Sequence, residues 1–455
     1  MTGATASKIG SLSEVDNLVI DAGAQADFTV DGGQDLSGVA LTVAGSARAG
    51  TTVATGVSKI GSYTVTGDPT LFLMQSGTDL VLYEKAADLV EGTVLPDNYK
   101  GMGDNNLVTG GVVEKAFFGT TLASGDVRTV FTGGTVANSM IGGALVLTGS
   151  SAGLDNVMLD IHDGVSLLGG PSNGGMNYVA GYAYGANGAT ALPGAANYTV
   201  GSAVLNLAGS SINGNLYGGA HARKYAWISV DATTLTVTGG TVEKLYGGGW
   251  AERGARSDVG TATVSISGGS IGRLYAGGGN GSNAYTYTTT ANLTISGGTV
   301  DFVFLGGRNI NSSVGDATLT ITGDAQTLTR ISGHNDCGAD RTTGTSTLNI
   351  QTNVTLDYLD YVDRINISED NLLHIVEDVV YTGGNDLAVN LETDGFDGVW
   401  TLFSATDAAD INTLASARFY LNGGTTSYTM GDTVEIAGGS YTLNKSGLNI
   451  ALSKI

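Results

Sequence analysis

Five loops of this chain gather the side chains best able to engage a ligand. The first holds His221, Arg223, Lys224, Tyr225 and Trp227, and the second Trp250, Glu252, Arg253 and Arg256. The third holds Asn280, Asn283, Tyr285 and Tyr287, the fourth Arg308, Asn309 and Asn311, and the fifth His334, Asn335, Asp336, Asp340 and Arg341. Aromatic rings pack on the apolar C–H faces of sugars, while amides and guanidinium groups reach hydroxyls and carboxylates. Stacked on one another, such loops would form a stripe suited to a glycan or a cell-surface receptor. The candidate binding set is Arg223, Tyr225, Trp227, Trp250, Arg253, Arg256, Tyr285, Tyr287 and Arg308. The competing reading makes these residues solvated loop tips, or ladders that tie one loop to the next.

Other groupings point to other chemistry. His334-Asn335-Asp336-Cys337, with Asp340 and Arg341, is the densest set of reactive types. A carboxylate pair beside Arg or His would serve a polysaccharide hydrolase or lyase, and a thiol beside His would make a nucleophile. No strand–turn–helix context supports a nucleophile here, so the cluster is read as a structural turn. Asp155, Asp160, His162 and Asp163 form one acidic grouping, and Asp357, Asp360 and Asp363 another. Calcium takes oxygen ligands of this kind, yet neither set follows an EF-hand or Gly-Gly-x-Gly-x-Asp pattern. The expectation is no cofactor, with structural calcium as the alternative. Four histidines and one cysteine leave little for a nitrogen or sulfur metal centre. The chain lacks a P-loop, a Rossmann glycine fingerprint and a nucleophile elbow.

The elements that must position these residues are visible as an internal repeat. Leu205-Asn206-Leu207-Ala208-Gly209 is followed by Leu235-Thr236-Val237-Thr238-Gly239, Val264-Ser265-Ile266-Ser267-Gly268, Leu293-Thr294-Ile295-Ser296-Gly297 and Leu319-Thr320-Ile321-Thr322-Gly323. Successive leading residues lie 30, 29, 29 and 26 positions apart. Each phrase leads to an aromatic/Gly element: Leu216-Tyr217-Gly218-Gly219, Leu245-Tyr246-Gly247-Gly248, Leu274-Tyr275-Ala276-Gly277 and Phe304-Leu305-Gly306-Gly307. Apolar/polar alternation is the period of a half-buried strand, and Gly-Gly marks a corner. One such unit cannot bury its apolar face alone, whereas stacked units can. The pattern predicts an all-β protein built on a parallel β-helix, right-handed by the usual crossover chirality. A β-sandwich would not keep one phrase at fixed spacing.

Composition agrees with this and excludes much else. The 455 residues include 72 glycines and 4 prolines, with 42% apolar and 14% charged residues, so the chain can fill a core and is not a disordered acidic polymer. The net charge of −22 argues against nucleic acid as a partner. No apolar run reaches the length of a membrane-spanning helix. Basic residues cluster in the repeats, because no Lys or Arg lies between Arg128 and Arg223.

Three regions are expected: a β-rich cap or module over residues 1–100, solenoid repeats over 101–365 with an uncharged insertion at 169–200, and a β-rich cap or module over 366–455. The flanks share a phrase. Gly61-Ser62-Tyr63-Thr64-Val65 followed by Ser76-Gly77-Thr78-Asp79-Leu80 parallels Gly439-Ser440-Tyr441-Thr442-Leu443 followed by Ser446-Gly447-Leu448-Asn449-Ile450. Either both flanks carry the same hairpin cap, or the related ends join one chain to the next.

The phrase Leu-Thr-Ile-Ser-Gly-Gly-Thr-Val at 293–300, the low Cys content and the acidic Gly/Thr/Ser composition resemble bacterial cell-surface β-helix proteins, in particular autotransporter-type adhesin passenger regions. Val399-Trp400-Thr401-Leu402-Phe403-Ser404 is similar to segments near the end of such passengers. The resemblance covers about residues 105–365 and implies secretion, surface display, and adhesion or scaffolding. A strand series for a membrane barrel and an N-terminal signal order are both missing, which fits an excised passenger, a secreted subunit or a fragment of a larger protein. The expectation is therefore a non-catalytic extracellular or surface-attached bacterial protein that displays stacked loops. The alternatives are a subunit of a self-associating filament or layer, and a β-helix polysaccharide lyase or hydrolase, or phage tailspike-like protein.

Overall fold

The computed structural model describes residues 105–120, 123–147, 150–168, 176–185, 196–324, 326–334, 344–380 and 387–455 without a break, and shorter stretches between residues 6 and 100. The chain divides into two compact units, Met1–Leu89 with Gly101–Val108, and Val90–Lys100 with Thr109–Ile455.

The second unit is a parallel β-solenoid, as the repeat predicts. A representative coil has three strands: a long one, Trp227–Val237, a middle one, Thr241–Tyr246, and a short one, Trp250–Glu252. The preceding coil supplies Asn197–Leu207, Ser211–Tyr217 and Ala220–Arg223, and the following coil Arg256–Ile266, Ser270–Tyr275 and Gly279–Asn280. Tyr285–Ile295 and Thr299–Phe304 open the next. Each strand pairs in parallel with its counterpart one coil on.

Register explains why the repeat phrase is so regular. Leu159, Leu205, Leu235, Val264, Leu293, Leu319, Leu348, Ile365, Val389 and Phe419 form one unbroken inner ladder. Each is at most 1% exposed, so apolar burial, worth about 1.5–3 kcal/mol per side chain, holds every coil to its neighbour. The ladder runs past residue 365, so parallel coils continue into the C-terminal region. Outward polar positions also ladder: Asn366 Nδ2 donates to Asn349 Oδ1 (2.7 Å), and Asn349 Nδ2 to Thr320 Oγ1 (3.0 Å).

The Gly-Gly corner is a steric requirement. Gly240 has φ +82°, and a Cβ there would lie 2.0 Å from Ser210 O. Beyond the corner, Tyr178, Tyr217, Tyr246, Tyr275 and Phe304 stack in the interior with centroids 5.1, 4.2, 4.5 and 5.0 Å apart. Tyr178 belongs to the expected insertion, which therefore supplies rungs as well as loop: Met176–Tyr178 and Gly181–Tyr184 pair with Ser211–Tyr217 and Ala220–Arg223.

Both units end in the same way. In the second, Asn449–Lys454 pairs antiparallel with Val399–Ala405 and with Gly439–Ser446, which in turn pairs with Thr433–Ile436. In the first, three sets of parallel strands are stacked, and Asp79–Glu84 pairs antiparallel with Thr52–Thr55 and with Leu71–Ser76. The matching phrases fall at the two hairpins, with Ser76 paired to Asp79 and Ser446 to Asn449. Such a hairpin covers the last parallel strand, which would otherwise offer an unpaired edge.

Candidate functional site

The short strand of each coil turns into the next long strand through a corner of unusual backbone. Lys224 (φ 51°), Tyr225 (φ 62°), Arg253 (φ 56°), Asn283 (φ 53°) and Asn309 (φ 73°) all occupy the left-handed region without being glycine. Each such residue costs about 1–3 kcal/mol, and strain of this kind is retained mainly where side chains must be aimed. An alanine follows each of three corners: Ala226, Ala255 and Ala284, all buried. It anchors the corner between two outward residues.

This geometry brings most of the expected set together. Trp227 stands directly opposite Arg256, and Arg256 opposite Tyr285, on three consecutive coils. Trp227 is 53% exposed and Tyr285 60%, and the Arg256 side chain 58%. Asp258 steers two of them: Trp227 Nε1 donates to its Oδ2 (3.2 Å), and Arg256 Nε to Oδ1 and Oδ2 (2.9 and 2.6 Å). Tyr287 lies opposite Asp258 in the adjoining outward column and is half-buried. The exposed Tyr225 ring lies over Gly254, where a Cβ would come within 2.5 Å of it. Arg253 is exposed at the same corner.

Three of the nine predicted residues are engaged inside the coil stack. Trp250 is only 8% exposed; its ring lies 5.8 Å from that of Tyr217 and fills the space over Gly279, where a Cβ would meet it at 2.7 Å. Arg308 is half-buried, and its Nη1 donates to the Tyr246 hydroxyl (3.3 Å). Arg223 Nε lies against Glu252 Oε1 as an ion pair without the alignment of a hydrogen bond.

Around Arg223 the short strands form a second cluster. Tyr182 faces His221 and His221 faces Trp250; Tyr184 faces Arg223 and Arg223 faces Glu252. His221 is wedged against Tyr178 (4.9 Å) and Tyr182 (4.7 Å), with Nε2 3.7 Å from Glu252 Oε1. Burial lowers the His221 pKa, against the pull of Glu252, and favours the neutral ring. The nearby His221 ring lowers the Glu252 pKa, opposed by burial. Lys224 Nζ sits 4.6 Å from the Tyr184 ring centre, and hydrogen bonding to Lys224 lowers that phenol's pKa. Tyr182, Tyr184 and Asp258 were not among the expected residues. Their signal was present: Tyr182-Ala183-Tyr184 has the same spacing around alanine as His221-Ala222-Arg223 and Trp250-Ala251-Glu252.

The remaining candidates are occupied elsewhere. Asp160 accepts from Asn206 Nδ2 (2.6 Å), and burial pushes its pKa up to about 6. Asp360 takes a two-pronged bond from Arg330 (2.8 and 2.7 Å) and one from Ser332 (2.9 Å), while Asp363 accepts from Ser346 N and Oγ (2.8 and 2.7 Å). His334 stacks on Tyr361 at 4.1 Å. Asn335, Asp336, Cys337, Asp340 and Arg341 lie outside the described residues. Among the described residues no group of three His, Cys, Asp or Glu is placed to hold a metal ion. No helix among them is long and apolar enough to cross a membrane. A shallow groove on the middle strands, lined by Ser211, Asn213, Thr241, Glu243, Ser270 and Gly272, has no aromatic residue or cation. Comparison with known proteins found no matching family model, no matching curated protein and no matching solved structure.

Proposed function

We propose that this chain is a non-catalytic, extracellular module of a bacterial cell surface, and that its stacked coils display an outer ladder for a glycan or a glycosylated receptor. One observation carries the reading: Trp227, Arg256 and Tyr285 share a register on consecutive coils and face solvent. An exposed aromatic–cation–aromatic ladder spends apolar surface on water, which packing alone does not reward. Rungs ~4.8 Å apart fix the rings along a line, so weak contacts to successive sugars add. The autotransporter-like resemblance supports surface display. The closest His–carboxylate approach in the cluster has a buried, neutral His221, which favours binding over acid–base chemistry.

The test is a glycan array with the purified chain beside a W227A/Y285A variant. The expected result is binding that the variant loses while its circular dichroism is unchanged. Equal binding by both proteins, or none by the parent chain, would reject the ladder. Trp250→Ala is unsuitable for this purpose, because the buried indole packs in the core.

A further inference from the structure

We infer that the ligand of the outer ladder is anionic, and that Lys224 and Arg253 select its charge. The inference rests on the ladder reading and names the ligand class. Lys224 and Arg253 hold equivalent places three residues before Trp227 and Arg256, and their corners are joined by Lys224 N to Glu252 O and Tyr225 N to Arg253 O. The two backbones thus stand on neighbouring rungs, ~4.8 Å apart along the stack, and the Lys224 ammonium lies over the Tyr184 ring of the preceding coil. Among the described residues neither has a carboxylate within ion-pair distance. Both are held in the left-handed backbone region, in a chain of net charge −22.

Arg256 extends the patch. It touches Asp258 through Nε alone, so its terminal nitrogens have no partner among the described residues. Arg223 differs, being held by Glu252 and hydrogen-bonded to the Tyr182 side chain. A carboxylate or sulfate on a sugar stacked against Trp227 would meet the Lys224 and Arg253 charges and accept paired N–H donors from the terminal nitrogens of Arg256. An uncharged sugar would gain the stacking alone.

The experiment is isothermal titration with three probes: an oligogalacturonate for carboxylates, a heparin-derived oligosaccharide for sulfates, and a neutral cello-oligosaccharide. Parent chain, K224Q/R253Q and W227A/Y285A are compared at low and high salt. One anionic probe should bind at least about tenfold tighter than the neutral one, and salt should erase the margin. K224Q/R253Q should lose that preference and keep its neutral-probe affinity and thermal midpoint. If K224Q/R253Q binds the anionic probe as the parent does, the charge assignment falls and the ladder stands. If W227A/Y285A keeps anionic binding that K224Q/R253Q loses, the ladder falls and the charge assignment stands. Binding of no probe by the parent overturns both.

Discussion

Two aromatic ladders climb the same coils, and they differ in composition as well as in side. The inner one, Tyr178, Tyr217, Tyr246, Tyr275 and Phe304, repeats nearly one residue type in near-parallel stacks. The outer one reads Asn197, Trp227, Arg256, Tyr285. Where packing decides, identical rungs are best, because each ring meets its own shape one coil on. Where a partner decides, the rungs vary. The outer ladder varies on a backbone just as regular, so its variety is a property of the surface it presents.

The sharpest way to break this contrast is to truncate one rung of each. Tyr246→Ala should cost about 3–5 kcal/mol in chemical denaturation, since it opens a cavity between two stacked rings. W227A/Y285A should leave the unfolding midpoint within ~0.5 kcal/mol while weakening ligand binding by ~2 kcal/mol or more. Comparable losses of stability in both variants would erase the distinction between the ladders.

A buried polar rung sharpens it further. The Asp160 pKa rises on folding, so the folded state binds more protons than the unfolded one between the ordinary carboxylate range and about pH 6. Stability should therefore fall as pH rises across that window and then level off. Asp160→Asn should remove this loss and gain roughly 1–3 kcal/mol at pH 8, read from denaturation curves at several pH values. His221 runs the other way. Its folded pKa is depressed, so its contribution is present above about pH 6.5 and lost as pH falls through the folded value. The smallest effect expected is from Arg253→Asn, which relieves a left-handed arginine and should raise stability by a few tenths of a kcal/mol.

Much of this architecture was legible in the residues themselves. The Leu-Thr-Ile-Ser phrase predicts the long strand, and its spacing predicts the Leu205–Leu319 ladder. The Leu-Tyr-Gly-Gly element predicts an aromatic register, although its inward direction is a matter of corner geometry. That same geometry explains Trp250. It follows Gly-Gly-Gly, and spacing alone does not reveal which way a residue points after three unrestrained φ/ψ pairs. Trp227 and Tyr285 follow the corner by one buried alanine, so strand alternation fixes them outward. Tyr182 and Tyr184 were hidden because their segment lies within an uncharged, Gly-rich stretch that reads as loop. The second halves of the flanking phrases fall at hairpins in both units, whereas Tyr63–Val65 pairs in parallel with Leu41–Val43 and Tyr441 lies in a hairpin arm, its hydroxyl donating to Phe396 O (2.6 Å).

The parallel register has a mechanical consequence. Hydrogen bonds between coils point along the stacking direction, so tension along that direction loads them one coil after another. Thr241 pairs with Ser270, so a central coil holds 29 residues. Such a coil pulled free releases about 90–100 Å of chain, and the shorter coil from Leu348 to Ile365 about 50–60 Å. Single-molecule pulling should show a train of such steps, and one all-or-none rupture would contradict it. A stack of this kind lengthens and dissipates work while its distal coils stay folded.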